Sequence, residues 1–264
     1  MQKQSVVAIL TDFGADDPYA GMLKGVISSF NPKITFVDLS HSIPSHNISI
    51  GAFVLGRSFK YFTDDTVFIA VVDPTVGSER RAIILKTDRQ SAVAPDNGIL
   101  SYVLKYAKVE KIIKITNPKY FLSDVCPTFH GRDIFAPVAA HLTMGIPPEV
   151  MGEEIKDPVK LEIKYPRSGK GNITADVIYV DKFGNLITNL TKELFGANTI
   201  KEIKITNRFI TGVKEFYSSG YEGELMAVWG GFGTLEIAVK EGNAAKILGV
   251  DAGEEIFVTE EKIA

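Results

Sequence analysis

The segment ILTDFGADDPYAG (residues 9–21) carries three carboxylates, Asp12, Asp16 and Asp17, where an apolar run ends and a helical pattern begins. That places Asp12 at the carboxyl end of a strand, where open α/β sheets bind ligands. An aspartate there can accept two hydrogen bonds from a ribose diol or coordinate a metal. Gly14 permits a sharp turn or close ligand approach. Asp17-Pro18 reads as an N-cap with proline at the first helical position, so Asp17 is assigned a structural role. Asp16 is open to either.

Three more clusters have the residue types for chemistry. In VVDPTVGSERRA (71–82), Asp73 ends a buried-type strand, Pro74 and Gly77 mark a tight loop, and Arg80 returns seven residues later. The pair is either a structural ion pair closing a loop or part of a catalytic group. In PTFHGRDIFAPVAAHL (127–142), His130 precedes Gly131 and a helix that starts near Asp133, while His141 lies deep in that helix as a packing residue. In VDKFGNLITN (180–189), Asp181, Asn185 and Asn189 suit a turn. Phe183 in that turn is an aromatic that could serve a flat ligand. APDNG (94–98) reads as a turn before a helix. The chain has no GxxxxGK[ST] loop, no GxGxxG after a strand, no HExxH and no GxSxG. Nucleoside-triphosphate, NAD, zincin and serine-hydrolase readings lose their usual support.

The elements that must position these residues change character along the chain. SVVAIL, ITFVDL, TVFIAVVD, AIILKT and KIIKIT are short β-branched runs suited to buried strands. Between them PYAGMLKGVISSF, HNISIGAFVLGRSFKYF, GILSYVLKYA and RDIFAPVAAHLTMG carry helical spacing. In the second, Ile48, Ala52, Leu55 and Phe59 share one face. This alternation implies an α/β sandwich-like domain with a central, mostly parallel sheet, over residues 1–165. KYPRSGKGN (164–172) is basic and rich in Gly, and reads as a linker. Residues 171–264 are mostly strand-like and imply a smaller antiparallel, barrel-like β domain, with helices only at TKELFGA and NAAKILG.

Composition narrows the partners. Over 264 residues the net charge is −3, which provides no basic footprint for nucleic acid or an anionic membrane. Cys126 is the only cysteine, so neither an internal disulfide nor a cysteine zinc cluster can form. No signal-peptide pattern and no run of about 18 apolar residues occurs. A soluble cytoplasmic enzyme is the expectation.

In order, LTDFGADDPYAGMLKG, VVDPTVGSERR, APDNG, TFHGRD, DKFGN and GTLEIAVKEGNAA resemble the SAM hydroxide adenosyltransferases, also called SAM hydrolases, relatives of fluorinase and chlorinase. The resemblance covers nearly the whole chain. It implies hydrolysis of S-adenosyl-L-methionine (SAM) to adenosine and methionine, by attack of water or hydroxide at ribose C5′, without a metal or cofactor. Asp12 matches the residue that holds the ribose hydroxyls, and Asp16 falls beside it in the same substrate-binding motif. Asp73, Arg80 and His130 match the triad that positions water, and the halogenating relatives lack that Asp and His. Asp181 matches a residue at the methionine end, Phe183 and Asn185 residues at the adenine, and Val239 and Glu241 backbone contacts to adenine. Two positions depart from the pattern. Gly230-Gly231 stand where Asn-Ser is usual, with Gly231 at a serine contact to the amino-acid part. His46 occupies the place of a substrate-facing aromatic of the fluorinase. Either Asp73 or His130 could take the proton. The resemblance also implies a homotrimer with sites shared between subunits. The residues alone leave two alternatives: a metal-dependent phosphohydrolase using Asp12, Asp16 and Asp73, or a non-catalytic SAM- or adenosine-binding protein.

Overall fold

The structure is a computed structural model describing residues 5–169, 171–195 and 199–261. The chain divides into two units, Met1–Glu162 and Ile163–Ala264. The first is built on seven strands: β1 (Ser5–Thr11), β2 (Ile34–Ser40), β3 (Val67–Val71), β4 (Ala82–Thr87), β5 (Ser91–Pro95), β6 (Val109–Ile115) and β7 (Gly152–Glu154). Their spatial order is β2-β1-β3-β5-β4-β6-β7. The sheet is mixed. β2, β1, β3 and β5 run parallel, whereas β4, β6 and β7 join by antiparallel pairing. The expected parallel character therefore holds for the first four strands only. The cause is β5, a short buried strand that returns directly from β4 as a hairpin.

Helices cover both faces of this sheet. α1 (Tyr19–Phe30) buries Ala20, Leu23 and Ile27, a stripe at helical spacing. Leu23 and Ile27 pack with Val7, Ile9, Val67 and Ile69 and with α4 (Ala136–Thr143). α2 (Ile48–Phe59) begins where the Asn47 side chain accepts the Ile50 amide, and it packs on α3 (Ser101–Tyr106). Phe59 of α2 stacks on Phe68, which alternates with Val67 and Ile69 and so points to the other face. Ala52, Leu55 and Phe59 are buried as the periodicity requires. One boundary differs from expectation: Pro18 itself is the N-cap of α1, and no side chain caps that end. Asp17, one residue too early, is exposed.

The named strands of the second unit all pair antiparallel. Its strands are β8 (Arg167–Ser168), β9 (Asn172–Val180), β10 (Leu186–Thr191), β11 (Thr199–Ile205), β12 (Arg208–Thr211), β13 (Leu225–Trp229), β14 (Thr234–Val239) and β15 (Glu255–Glu261). Their order is β12-β11-β15-β9-β10-β14-β13, with β8 on β9. A bridge between Lys214 and Val228 brings the edge strands toward closure, giving a nearly barrel-like form. The core is the alternate apolar set, including Ile173, Ala175, Val177, Leu235, Ile237, Ile256 and Val258. The helices α5 (Lys192–Phe195) and α6 (Ala244–Leu248) are short. The stretch read as a linker holds β8, with Gly169 N–H donating to the Asn172 carbonyl. Lys170 lies outside the described residues.

Candidate functional site

Strand register sets the first constellation. Thr11 of β1 pairs with Val71 of β3, so Asp12 and Asp73 both emerge at the carboxyl edge of the parallel half. The Asn97 side chain donates to the Val72 carbonyl at 2.8 Å, fixing the strand end just before Asp73. APDNG is therefore more than a turn. Asp96 within it is buried, accepting Arg81 Nε at 2.6 Å and the Val159 amide at 2.8 Å.

Arg80 folds back onto Asp73. Its Nε donates to Oδ2 at 2.9 Å and Oδ1 at 3.1 Å, and Nη2 to Oδ2 at 2.5 Å. The two side chains are 8 % and 5 % exposed. Thr75 Oγ1 adds a bond to Oδ1 at 3.3 Å. Arg80 Nη2 also lies 2.9 Å from His130 Nδ1. A guanidinium has donors and no acceptor, so Nδ1 must present its lone pair. His130 is then the neutral tautomer with its proton on Nε2, and Nε2 meets no partner among the described residues. Burial, reinforced by the Arg80 charge, lowers the His130 pKa below its ordinary value.

Backbone contacts place His130 there. Gly77 has φ +82°, and a Cβ on it would fall 2.7 Å from the Pro127 carbonyl oxygen. The Asp73–Arg80 loop thus packs backbone-to-backbone on the segment leading to His130. His130 is the N-cap of a π-helical turn (Gly131–Phe135) that runs into α4. Such wide turns recur at functional sites. Burial pushes the Asp133 carboxyl up, but hydrogen bonds from Arg132 and the Cys126 amide leave it lowered overall. This ion pair anchors the same loop.

Asp12 joins through two links. Its Oδ2 accepts the His46 amide at 2.8 Å, and Oδ1 takes no hydrogen bond among the described residues. His46 is exposed and holds φ 65°, uncommon for a residue with a side chain. Phe13, Tyr19 and Phe129 form an edge-on ring cluster with centroids 5.4–5.9 Å apart, connecting the Asp12 and His130 loops. Asp16 is exposed and stands apart from these bonds. His141 lies against Phe30 and Tyr120, a packing residue as read from the sequence.

The second unit carries the other constellation. Asp181 Oδ1 accepts the amides of Phe183 and Asn185, each at 2.9 Å, and Oδ2 accepts Asn185 Nδ2 at 3.0 Å. The carboxylate thereby builds the β9–β10 turn and raises Phe183, 63 % exposed, above it. The Ala245 amide at the start of α6 donates to the Gly184 carbonyl, tying this turn to the segment after β14 that carries Glu241. Val239 ends β14 and its carbonyl accepts the Gly242 amide; Glu241 is exposed at φ 55°. Gly231 lies in the β13–β14 turn next to Gly230, where the Glu236 carboxyl sits within electrostatic reach of Asp181. Asn189 is not a turn residue: it sits in β10, bonded to the Asp176 amide and carboxylate.

Sequence reasoning missed Glu236 and Tyr217. Tyr217 Oη donates to Glu236 Oε2 at 2.6 Å, and burial raises the pKa of both. A Cβ at Gly230 would fall 1.6 Å from Glu236 Oε1, so this carboxyl occupies the space that a side chain at 230 would need. Gly230 in the turn was the available signal.

Among the described residues no group of three or more His, Cys, Asp or Glu could hold a metal ion. No described helix is long and apolar enough to cross a membrane.

Comparison with known proteins matches residues 7–152 to the SAM hydroxide adenosyltransferase N-terminal domain and residues 175–257 to the C-terminal domain of the same family. A Thermus thermophilus protein named (R)-S-adenosyl-L-methionine hydrolase is 35% identical, spanning 94% of this chain and 96% of its own. One of the same name from Methanocaldococcus jannaschii is 35% identical over 96% of this chain and 95% of its own. A crystal structure of an uncharacterized conserved protein from Thermotoga maritima superposes with TM-score 0.90 at 36% identity, covering 96% of this chain and 99% of that one.

Proposed function

Because this chain belongs to the SAM hydroxide adenosyltransferase family, we propose that it hydrolyses S-adenosyl-L-methionine to adenosine and L-methionine. Water or hydroxide attacks ribose C5′, the C5′–S bond breaks, and its electron pair leaves on sulfur as the neutral thioether of methionine. The leaving group needs no proton, so the chemistry falls on the nucleophile.

The hydrogen-bonded Asp73–Arg80–His130 group carries this reading. Arg80 occupies the His130 Nδ1 lone pair, and neutral His130 keeps its proton on Nε2. His130 therefore orients water as a donor, and the proton that water loses goes to Asp73. Arg80 holds that carboxylate in one orientation, so most of the acceleration comes from alignment in a dry site, an effect worth roughly 7–11 kcal/mol in favourable cases. Asp12, with Oδ1 open, accepts from the ribose hydroxyls, and His46 lines the wall beside it.

The remaining contacts come from the second unit, and we assign them to a neighbouring copy in a ring of three. Asp181 and Gly231 take the amino-acid end; Phe183, Asn185, Val239 and Glu241 take the adenine. The names of the relatives specify an R centre. L already fixes the α-carbon, so R falls on the stereogenic sulfonium, and we extend that preference to this chain. A single cysteine suits the reducing cytoplasm, where we place the enzyme. The phosphohydrolase alternative lacks a shared donor set, since Asp73 is engaged by Arg80 and Asp12 by His46.

Incubation with SAM, resolved at sulfur, in ¹⁸O-water with and without EDTA tests the reading. Adenosine labelled at its 5′-oxygen and unlabelled methionine, with EDTA present, are expected. Methylthioadenosine, loss of activity with chelator, or binding without turnover would each overturn it.

A further inference from the structure

Behind Asp12 lies a chain of polar groups, buried at Thr11 and exposed at Asp38, that the reaction does not use directly. Thr11 is fully buried, and its Oγ1 lies 2.8 Å from His41 Nδ1. His41 Nε2 lies 3.0 Å from Asp38 Oδ1 on β2, and Lys24 Nζ of α1 bonds Asp38 Oδ2 at 2.6 Å. Burial raises the Asp38 carboxyl, but the bonds from Lys24 and His41 outweigh it and leave the pKa lowered, so Asp38 is ionised. An ionised carboxylate requires a proton on Nε2. His41 Nδ1 and Thr11 Oγ1 share the next hydrogen bond of the chain. A lone pair of Thr11 Oγ1 in turn accepts the Phe13 amide at 3.2 Å.

This chain ends on both flanks of Asp12: residue 11 through its hydroxyl and residue 13 through its amide. His41 also gives its carbonyl to the Gly14 amide at 2.7 Å, and Ile43 N–H donates to the Thr11 carbonyl at 3.4 Å. The 41–46 loop that supplies the His46 amide to Asp12 is thus held by the same histidine. A threonine, a histidine and an aspartate in this order resemble a nucleophilic triad, but the hydroxyl has no access to solvent or substrate.

We infer that Thr11, His41 and Asp38 are positioning residues for Asp12, a hydrogen-bonded relay that aims its carboxylate at the ribose diol. The inference rests on the proposed ribose role of Asp12, and the test separates the two. Adenosine affinity is measured by calorimetry for Asp12→Ala, Thr11→Val, the double variant and Thr11→Ser, alongside Tm. Asp12→Ala loses a charge-assisted contact, and affinity falls about 10–100-fold. Thr11→Val keeps shape and loses the hydroxyl; affinity falls about tenfold, and Thr11→Ser restores it. In the Asp12→Ala background the Thr11→Val change costs less than about twofold, because the relay has nothing left to aim.

If Asp12→Ala binds adenosine normally, the ribose reading fails and the relay loses its object. If Asp12→Ala weakens binding but Thr11→Val leaves it unchanged, or the two penalties multiply, the ribose reading stands and the relay is wrong. A lower Tm with unaltered affinity also refutes the relay, since that is the mark of a purely structural bond. Should Thr11→Val fail to fold, His41→Gln enters the same cycle with the same expected outcomes.

Discussion

Replacing Arg80 with lysine probes the centre of the proposed mechanism while keeping the charge. Arg80 spreads three contacts over both Asp73 oxygens through two nitrogens and reaches His130 with one of the same nitrogens. A lysine ammonium can hold Asp73 at one point, but it cannot fork and also meet Nδ1. Two of the three contacts to the carboxylate and the bond to His130 are lost. Hydrogen bonds to charged groups contribute about 1.5–3 kcal/mol each. Part of this returns as water enters, so a net loss of about 3 kcal/mol is expected, or roughly 100-fold in rate. These residues orient the nucleophile rather than the substrate, so the loss belongs in kcat, with KM changing less than about threefold. Adenosine release from SAM is followed by chromatography, with Tm measured in parallel. A folded Arg80→Lys protein with kcat within about threefold of the parent would refute the positioning role.

Four other outcomes can be measured. Burial with the nearby Arg80 lowers the His130 pKa from 6.5, so the working form is neutral above that value; activity is lost as pH falls through the lower folded-state pKa, and in His130→Asn the residual rate no longer falls on that acid limb. Burial lowers His141 in the same direction, so both histidines favour the folded state most at neutral pH, and a Tm that rises on acidification from pH 7 to 5 would contradict this. Gly77→Ala combines a positive φ with a 2.7 Å approach to Pro127 O, so it should destabilise by about 1–3 kcal/mol and lower kcat by shifting Arg80 from His130; unchanged Tm and kcat would exclude the packing argument. Co-expressed Asp73→Asn and Asn185→Ala chains should recover roughly one quarter of parental activity if each site draws on two subunits of a heterologous ring, whereas activity no greater than the sum of the two parents points to sites within one chain.

Much of the scaffold was legible because its signals are local. Apolar spacing located α1 and α2, and β-branched runs located β1, β3 and β6. The turn residues of DKFGN located the hairpin that Asp181 builds. The ion pair of Asp73 and Arg80 could be anticipated because seven residues with Pro and Gly between them close a short loop. β5 was not legible: SAVAP is five residues, mostly small, and looked like the approach to a turn. Missing it hid the antiparallel half of the sheet, since strand pairing depends on partners and not on the strand alone. The proline at 18 also shifted the helix start, a boundary that sequence resolves only to a residue or two.

The sequence by itself therefore determined which residue types stood at strand ends and which loops could hold them. Only the tertiary structure decided their chemistry. His130 lies fifty residues from Arg80 in sequence, and its tautomer follows from which of its nitrogens the guanidinium meets. Thr11 and His41 come together because β1 and β2 lie side by side, and Glu236 takes the space over Gly230 because a hairpin folds them together. Protonation state and hydrogen-bond direction are properties of neighbours, and long-range neighbours exist only once the chain has folded.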